Sequence, residues 1–203
     1  QKHAEGLTHV VLCPVANYQL IQLPTADLRG HPNVFAGYVI ELLDDGLIPI
    51  IMMTTGDRGT AQDITQYWPG LCVALEPESP YLVVCPGFEV VGPGGHWRSA
   101  QFSQGLIALH TRLPKSALAA HMQPTRFTGA SNPREPDDPW QGDEMAFWRH
   151  SGGQYVDLML YQPEHEPELS NGVWEARWIE LADRLGAGGH TWRKVPTCFF
   201  ESV

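Results

Sequence analysis

Residues 81–89 read Tyr81-Leu82-Val83-Val84-Cys85-Pro86-Gly87-Phe88-Glu89, an apolar run that ends in a carboxylate. Its first five residues are apolar in succession, as expected of a strand that is covered on both faces in a parallel sheet. A second run with the same form, 195–201, lies close to residue 203 and finishes at Glu201. If both strands belong to one closed parallel barrel, Glu89 and Glu201 emerge at the same face, where barrel enzymes carry out their chemistry.

Apolar, β-branched runs recur along the whole chain at intervals of 34 to 40 residues. The six runs are Thr8–Cys13, Leu47–Met53, Tyr81–Cys85, Leu118–Met122, Tyr155–Tyr161 and Val195–Phe200. Helical spacing of apolar residues separates them, over 34–43 with a stop at Gly46, over 102–113 with a stop at Pro114, and over 174–185. This alternation predicts an α/β protein with parallel strands joined by right-handed crossovers.

The 203 residues are predicted to form one domain, 1–203. Six strand and helix units fit either an open doubly wound sheet or part of a TIM-like (β/α)8 barrel, which usually takes about 250 residues. If the first run is the second strand of a barrel, Glu89 ends the fourth strand and Glu201 ends the seventh. One strand is then expected to be missing from each end of the visible chain.

Net charge and hydropathy limit the partners of this protein. A net charge of −10 with three lysines repels phosphate backbones, so no nucleic acid is expected and a neutral polysaccharide suits the surface better. No apolar run reaches the roughly 20 residues needed to cross a bilayer, so no membrane partner is expected. Cys13, Cys85 and Cys198 lie inside apolar runs and no C-x-x-C pair occurs. Buried free thiols are therefore predicted, which favours folding in a reducing, cytoplasmic compartment.

Hydrolysis of a glycosidic bond needs one carboxylic acid and one carboxylate, and Glu89 and Glu201 could supply them. His121 could bind a sugar hydroxyl or tune the proton affinity of Glu89, and Tyr161 could orient a carboxylate nucleophile. Polar residues near other strand ends and aromatic residues in predicted loops could bind sugar. These candidates are Asn17, Asp57, Gln123, Trp68, Trp97 and Trp140.

Each candidate also has a purely structural interpretation. A glutamate after a strand is commonly a solvated loop residue, and a histidine such as His121 is commonly satisfied by backbone in a core. Asp57 could pair with Arg58 or cap a helix, and Trp140 could pack under the loop 129–143. His31-Pro32-Asn33 only faintly matches the His-Pro-Asp-Asp motif of zinc-dependent deacetylases, so no metal or other cofactor is predicted.

Three segments together resemble cellulase-like barrel proteins encoded by bacteriophages and found in metagenomes. They are Pro86–Glu89, the segment 137–148 that begins Asp-Asp-Pro-Trp-Gln-Gly-Asp-Glu, and Leu160–Gln162 followed by Phe199–Glu201. The resemblance covers nearly the whole chain. It implies a glycosidase-type (β/α)8 barrel of the retaining kind, with Glu89 as acid/base, Glu201 as nucleophile and Tyr161 as a tyrosine that contacts the nucleophile.

The sequence departs from that family at Phe88, because retaining glycosidases of this kind usually have Asn immediately before the acid/base. This departure motivates a second hypothesis from a different class. In it the barrel is catalytically inactive, is associated with a phage particle and binds host glycan.

Overall fold

The computed structural model describes residues 8–15, 27–55, 59–88, 99–122, 155–161 and 197–199. Within them lie six strands and five helices, four of which are α-helices, and the helices all precede β4. The strands are β1 His9–Leu12, β2 Ile48–Met52, β3 Val83–Cys85, β4 Ala117–Met122, β5 Leu158–Tyr161 and β6 Thr197–Phe199. The helices are α1 Pro32–Asp44, α2 Asp63–Gln66, α3 Trp68–Leu75, α4 Ser99–Arg112 and a 3-10 helix, Glu76–Tyr81.

All six strands form one parallel sheet whose spatial order, β1-β2-β3-β4-β5-β6, is the order of the sequence. The predicted α/β class is therefore confirmed. Five predicted runs each contain one strand, and the fourth coincides with β4 except that the strand begins one residue earlier, at Ala117. A doubly wound sheet reverses its strand order at a switch point. These six strands show no reversal, so the doubly wound alternative does not fit.

One face of the sheet packs against the helices. Alternate residues of β1 to β4 join the buried side chains of α1, α3 and α4 in one apolar cluster, which we call the helix-side core. The strand members are Leu12, Ile51, Val84, Leu118 and Ala120. Each valine, leucine or isoleucine side chain among them contributes roughly 1.5–3 kcal/mol to stability when it is fully buried. This core explains why the helical runs carry an apolar stripe.

The opposite face of the sheet holds a second buried cluster, which we call the inner core. It contains Cys13, Val15, Ile50, Met52, Cys85, Phe88, Ala119 and Leu160. Within the described residues, no helix contributes to it. The near-continuous apolar character of the strands follows, because a strand that is buried on both faces cannot alternate polar and apolar residues.

Glycine and proline mark three helix ends, and the two at Gly46 and Pro114 were predicted from the sequence. Helix α1 has Pro32 at its start, where the missing N–H is tolerated, and the chain leaves it through Gly46 at φ 73°. Helix α4 ends at Arg112, two residues before Pro114. Cys13, Cys72 and Cys85 are buried free thiols, which confirms that prediction for Cys13 and Cys85.

The interpretation of Trp68 as a loop residue that binds sugar is wrong. Trp68 begins α3 and is 0% exposed in the helix-side core. The next two residues, Pro69 and Gly70, are typical of a turn, but proline is also favoured in the first turn of a helix. Tyr81, assigned to a strand from its sequence, ends the 3-10 helix before β3.

Within the described ranges, no helix combines the length and the apolar character needed to cross a bilayer. The predicted helix 174–185 lies outside the described residues.

Candidate active site

The carboxyl ends of the strands are where the sequence predicts the site, and the structure describes part of that edge. Most of the predicted site residues lie outside the described residues, and for them the assignments stay predictions. These are Glu89, Glu201, Asn17, Asp57, Trp97, Gln123 and Trp140. Tyr161 ends β5, and its backbone pairs with Met122 and Phe199. The placement of its side chain also lies outside what the structure describes.

The segment that leads to Glu89 is held against the end of β2. The Met53 N–H donates to the Cys85 carbonyl oxygen at 2.9 Å, and the Phe88 N–H donates to the Thr54 carbonyl oxygen at 2.9 Å. Thr55 and Phe88 then pair in a parallel bridge beyond the regular strands. The chain therefore enters Glu89, the next residue in the sequence, from a backbone that is fixed by main-chain hydrogen bonds.

Besides Trp68, His121 is the predicted site residue whose side chain the structure describes. It lies in β4, is 4% exposed, and its ring centroid is 4.7 Å from that of Phe88 at an interplanar angle of 40°. Its backbone partner in β5 is Leu160, a member of the inner core. His121 therefore lies beside the residue that precedes Glu89, and its burial also agrees with the core interpretation.

A charged network, which the sequence did not predict, lies at the same edge and joins the loop before α1 to the start of α2. The Arg29 guanidinium donates through Nη1 to both carboxylate oxygens of Asp63 at 3.2 Å. It also donates through Nη2 to Asp27 Oδ2 at 2.6 Å and lies 5.0 Å from the ring centroid of Tyr67. The Thr54 hydroxyl donates to Asp63 Oδ2 at 3.0 Å. The network thus reaches the strand end that holds Phe88.

Burial differs across this network. Asp63 and Thr54 are buried, whereas the side chain of Arg29 is 18% exposed and that of Asp27 is 46% exposed. The hydrogen bond that Arg29 donates to Asp27 is the largest cause that raises the pKa of Arg29 above its ordinary value, with further contributions from the charges of Asp63 and Asp27. Arg29 is therefore a permanent cation that neutralises a buried carboxylate.

Gly59 lies directly against Thr54. A Cβ atom at Gly59 would clash with the Thr54 Oγ1 and would lie 2.7 Å from the Thr55 carbonyl oxygen. The Gly59 N–H donates to that same carbonyl at 2.7 Å. Only glycine fits at this position, and its backbone packs directly against the Thr54 hydroxyl that donates to Asp63.

Little in the sequence indicates this network, because Arg29 and Asp63 are 34 positions apart. The single local signal is Asp63 itself, an acidic residue in the first turn of α2, where a negative charge interacts favourably with the helix dipole. That signal would identify a cap rather than a member of a site.

Comparison with known proteins bears on the fold alone. No protein-family model matches the chain, and no curated protein matches its sequence. The dehydroquinate dehydratase and shikimate dehydrogenase of S. pombe AroM is similar in structure, with a TM-score of 0.51 and 12% identity over 95% of this chain and 31% of that chain. The chain therefore spans about a third of that protein, and the likeness agrees with an α/β fold.

The C-terminal domain of Legionella pneumophila ChiA was also found, at 12% identity over 78% of this chain and 51% of that chain. Its TM-score of 0.40 is too low to indicate a shared fold.

Proposed function

We propose that this protein is a retaining glycoside hydrolase that cleaves a β-linked polysaccharide, with Glu89 as acid/base and Glu201 as nucleophile. One observation carries the proposal. Phe88 is anchored at the carboxyl end of β3 by the Thr54 carbonyl and the Thr55 bridge, and Glu89 follows it directly. A carboxylic acid that must protonate a glycosidic oxygen needs a rigid attachment of this kind.

The proposal includes a (β/α)8 barrel. Strictly sequential parallel order is what a barrel requires, since each strand must neighbour the next one in the chain. The two buried faces also support it, because the helices cover only one of them among the described residues. The inner core would then be the barrel interior, with His121 and Phe88 near its carboxyl-terminal mouth.

The proposed chemistry uses the two glutamates in two steps. Glu89 donates its proton to the leaving-group oxygen while the carboxylate of Glu201 attacks the anomeric carbon, so the glycosidic bond breaks and a glycosyl ester forms. Glu89 then removes a proton from water, which attacks the same carbon and releases Glu201. A retaining mechanism requires the two carboxyl groups to be about 5–5.5 Å apart.

The remaining predicted residues would bind and orient the polymer. We propose Asn17, Asp57, His121 and Gln123 as hydrogen-bonding partners of sugar hydroxyls, and Trp97 and Trp140 as platforms for pyranose rings. Tyr161 would orient Glu201. A polysaccharide of plant cell walls or bacterial surfaces fits the net charge of −10, because such a substrate need not be anionic.

Reducing-sugar release from a panel of β-linked polysaccharides tests the enzyme. We expect the wild type to release sugar, and the Glu89→Gln and Glu201→Gln variants to lose nearly all of that activity. Glu41→Gln, at an exposed position of α1, is the matched control and should keep wild-type activity. NMR of the first product should show retention of the anomeric configuration. Wild-type protein that is folded and releases no sugar would refute the proposal.

A glycan-binding protein without activity is the second candidate, and Phe88 favours it. Its side chain is buried in the inner core against His121, so this position offers no polar atom to a sugar hydroxyl. In this alternative the barrel is a phage-associated component that holds host glycan. The wild type would then release no sugar, and binding on a glycan array would be unchanged in Glu89→Gln and Glu201→Gln. This result would favour the binding protein over the hydrolase.

A further inference from the structure

Thr54 connects two parts of the structure through two different groups. Its hydroxyl donates to the buried carboxylate of Asp63 at 3.0 Å, and its carbonyl accepts the Phe88 N–H at 2.9 Å. Asp63 is in turn held by Arg29, which belongs to the loop before α1. A continuous path therefore runs from the Arg29–Asp63 ion pair through Thr54 to the residue that precedes Glu89.

The contacts leave Thr54 little freedom. It is 0% exposed, and the Gly59 backbone packs so closely on its hydroxyl that no side chain fits between them. The adjacent Thr55 is also fully buried and is bridged to Phe88. A buried hydroxyl that loses its acceptor must find another one, so removal of the Asp63 carboxylate is expected to shift this strand end.

We infer that Thr54 and Asp63 are positioning residues that fix the backbone at Phe88 and thereby the acid/base Glu89. This inference rests on the proposed function for its catalytic part. Neither side chain is required to touch the substrate. Reaction rates are sensitive to such placement, because a displacement of about 1 Å can lower a rate about 100-fold.

Kinetics of four variants test the catalytic part. Thr54→Val removes the hydroxyl at nearly constant shape, Thr54→Ser keeps it, and Asp63→Asn removes the acceptor's charge. We expect kcat to fall about 10- to 100-fold in Thr54→Val and Asp63→Asn at unchanged KM, and to stay near wild type in Thr54→Ser. Thr111→Val is the control, since the Thr111 hydroxyl donates to the Ile107 carbonyl on the exposed side of α4.

Amide hydrogen exchange tests the same inference without relying on activity. In Thr54→Val and Asp63→Asn, the Phe88 amide should exchange faster than in the wild type and in Thr111→Val, because its acceptor carbonyl is less firmly held. If Thr54→Val does not fold, the exchange rate of the Phe88 amide in Asp63→Asn tests the inference by itself. Unchanged exchange at Phe88, or unchanged kcat in a folded and active variant, would overturn the inference.

The two proposals fail in distinguishable ways. A folded wild type that releases no sugar refutes the hydrolase and with it the catalytic part of the inference, while exchange at Phe88 still reports whether Thr54 and Asp63 fix the backbone. Active wild type with wild-type kcat in both variants refutes the positioning role alone.

Discussion

At the scale of single residues, Arg29 shows why burial decides the strength of an ion pair. The Asp27 hydrogen bond has the larger effect on the pKa of Arg29, yet Asp27 is nearly half exposed and water screens that pair. Asp63 is almost completely buried, so its charge depends on Arg29 for compensation. The Arg29–Asp27 contact, at 2.6 Å, is therefore expected to contribute less to stability than the Arg29–Asp63 contact, at 3.2 Å.

Substitutions on the two sides of Arg29 should have unequal effects. Arg29→Met leaves the buried carboxylate of Asp63 without its cation and should lower the free energy of unfolding by about 3–5 kcal/mol. Asp27→Asn removes the exposed partner and should cost under about 1 kcal/mol. Urea unfolding at pH 7 measures both changes. Equal losses in the two variants would contradict this account of Arg29.

At the scale of elements, the sequence predicted the long periodic segments and missed the short ones. The six strands and helices α1 and α4 were found where apolar periodicity placed them. Helices α2 and α3 were missed, because four and eight residues are too few to show a clear helical period. Tertiary contacts with α1 and the helix-side core stabilise α3 instead.

The assignment of Trp68 to the core of α3 can be tested on that one helix. Trp68→Ala should lower the free energy of unfolding by about 3–5 kcal/mol, because a large side chain is removed from a packed core. Val73→Ala, at a position of the same helix that is 77% exposed, should change it by less than about 0.5 kcal/mol. Chemical denaturation of both variants provides the comparison. A loss of sugar binding without a loss of stability in Trp68→Ala would restore the platform interpretation.

At the scale of the whole molecule, the sequence predicted the parallel α/β architecture but not the hydrogen bonds at the carboxyl edge of the sheet. Parallel strands buried on both faces can be recognised from composition alone, as in Val83-Val84-Cys85. The pairing of Arg29 with Asp63, and of Thr55 with Phe88, depends on how separate units of the chain come together. No local pattern records such contacts. The hydrogen bonds at this edge of the sheet were therefore not predictable from the sequence.

Because two thiols are buried, the free energy of unfolding is expected to fall at alkaline pH. Burial raises the pKa of Cys72 and of Cys85 from 9.0 to about 12. Because the folded pKa exceeds the unfolded one, the stabilisation is complete below about pH 9 and is lost as the pH rises from 9 towards 12. Each thiol should contribute a slope of about 1.4 kcal/mol per pH unit in that range.

Urea unfolding at pH 8 and pH 10 checks this dependence. The wild type should lose more stability between the two values than the variant with both Cys72→Ala and Cys85→Ala. The difference between the slopes isolates the thiols from other groups that titrate in this range. Identical slopes for the two proteins would show that neither thiol is protected when the protein is folded.

The sequential order of the strands also affects how the polypeptide can fold while it is being synthesised on the ribosome. Each strand pairs with one that was synthesised shortly before it, with paired residues separated by 33 positions for Ile50 and Val83 and by 39 for Ala119 and Leu158. Closing segments of such similar length costs similar conformational entropy at each step. The sheet can therefore grow strand by strand during translation, and no early strand has to wait for the carboxyl terminus before it finds its first neighbour.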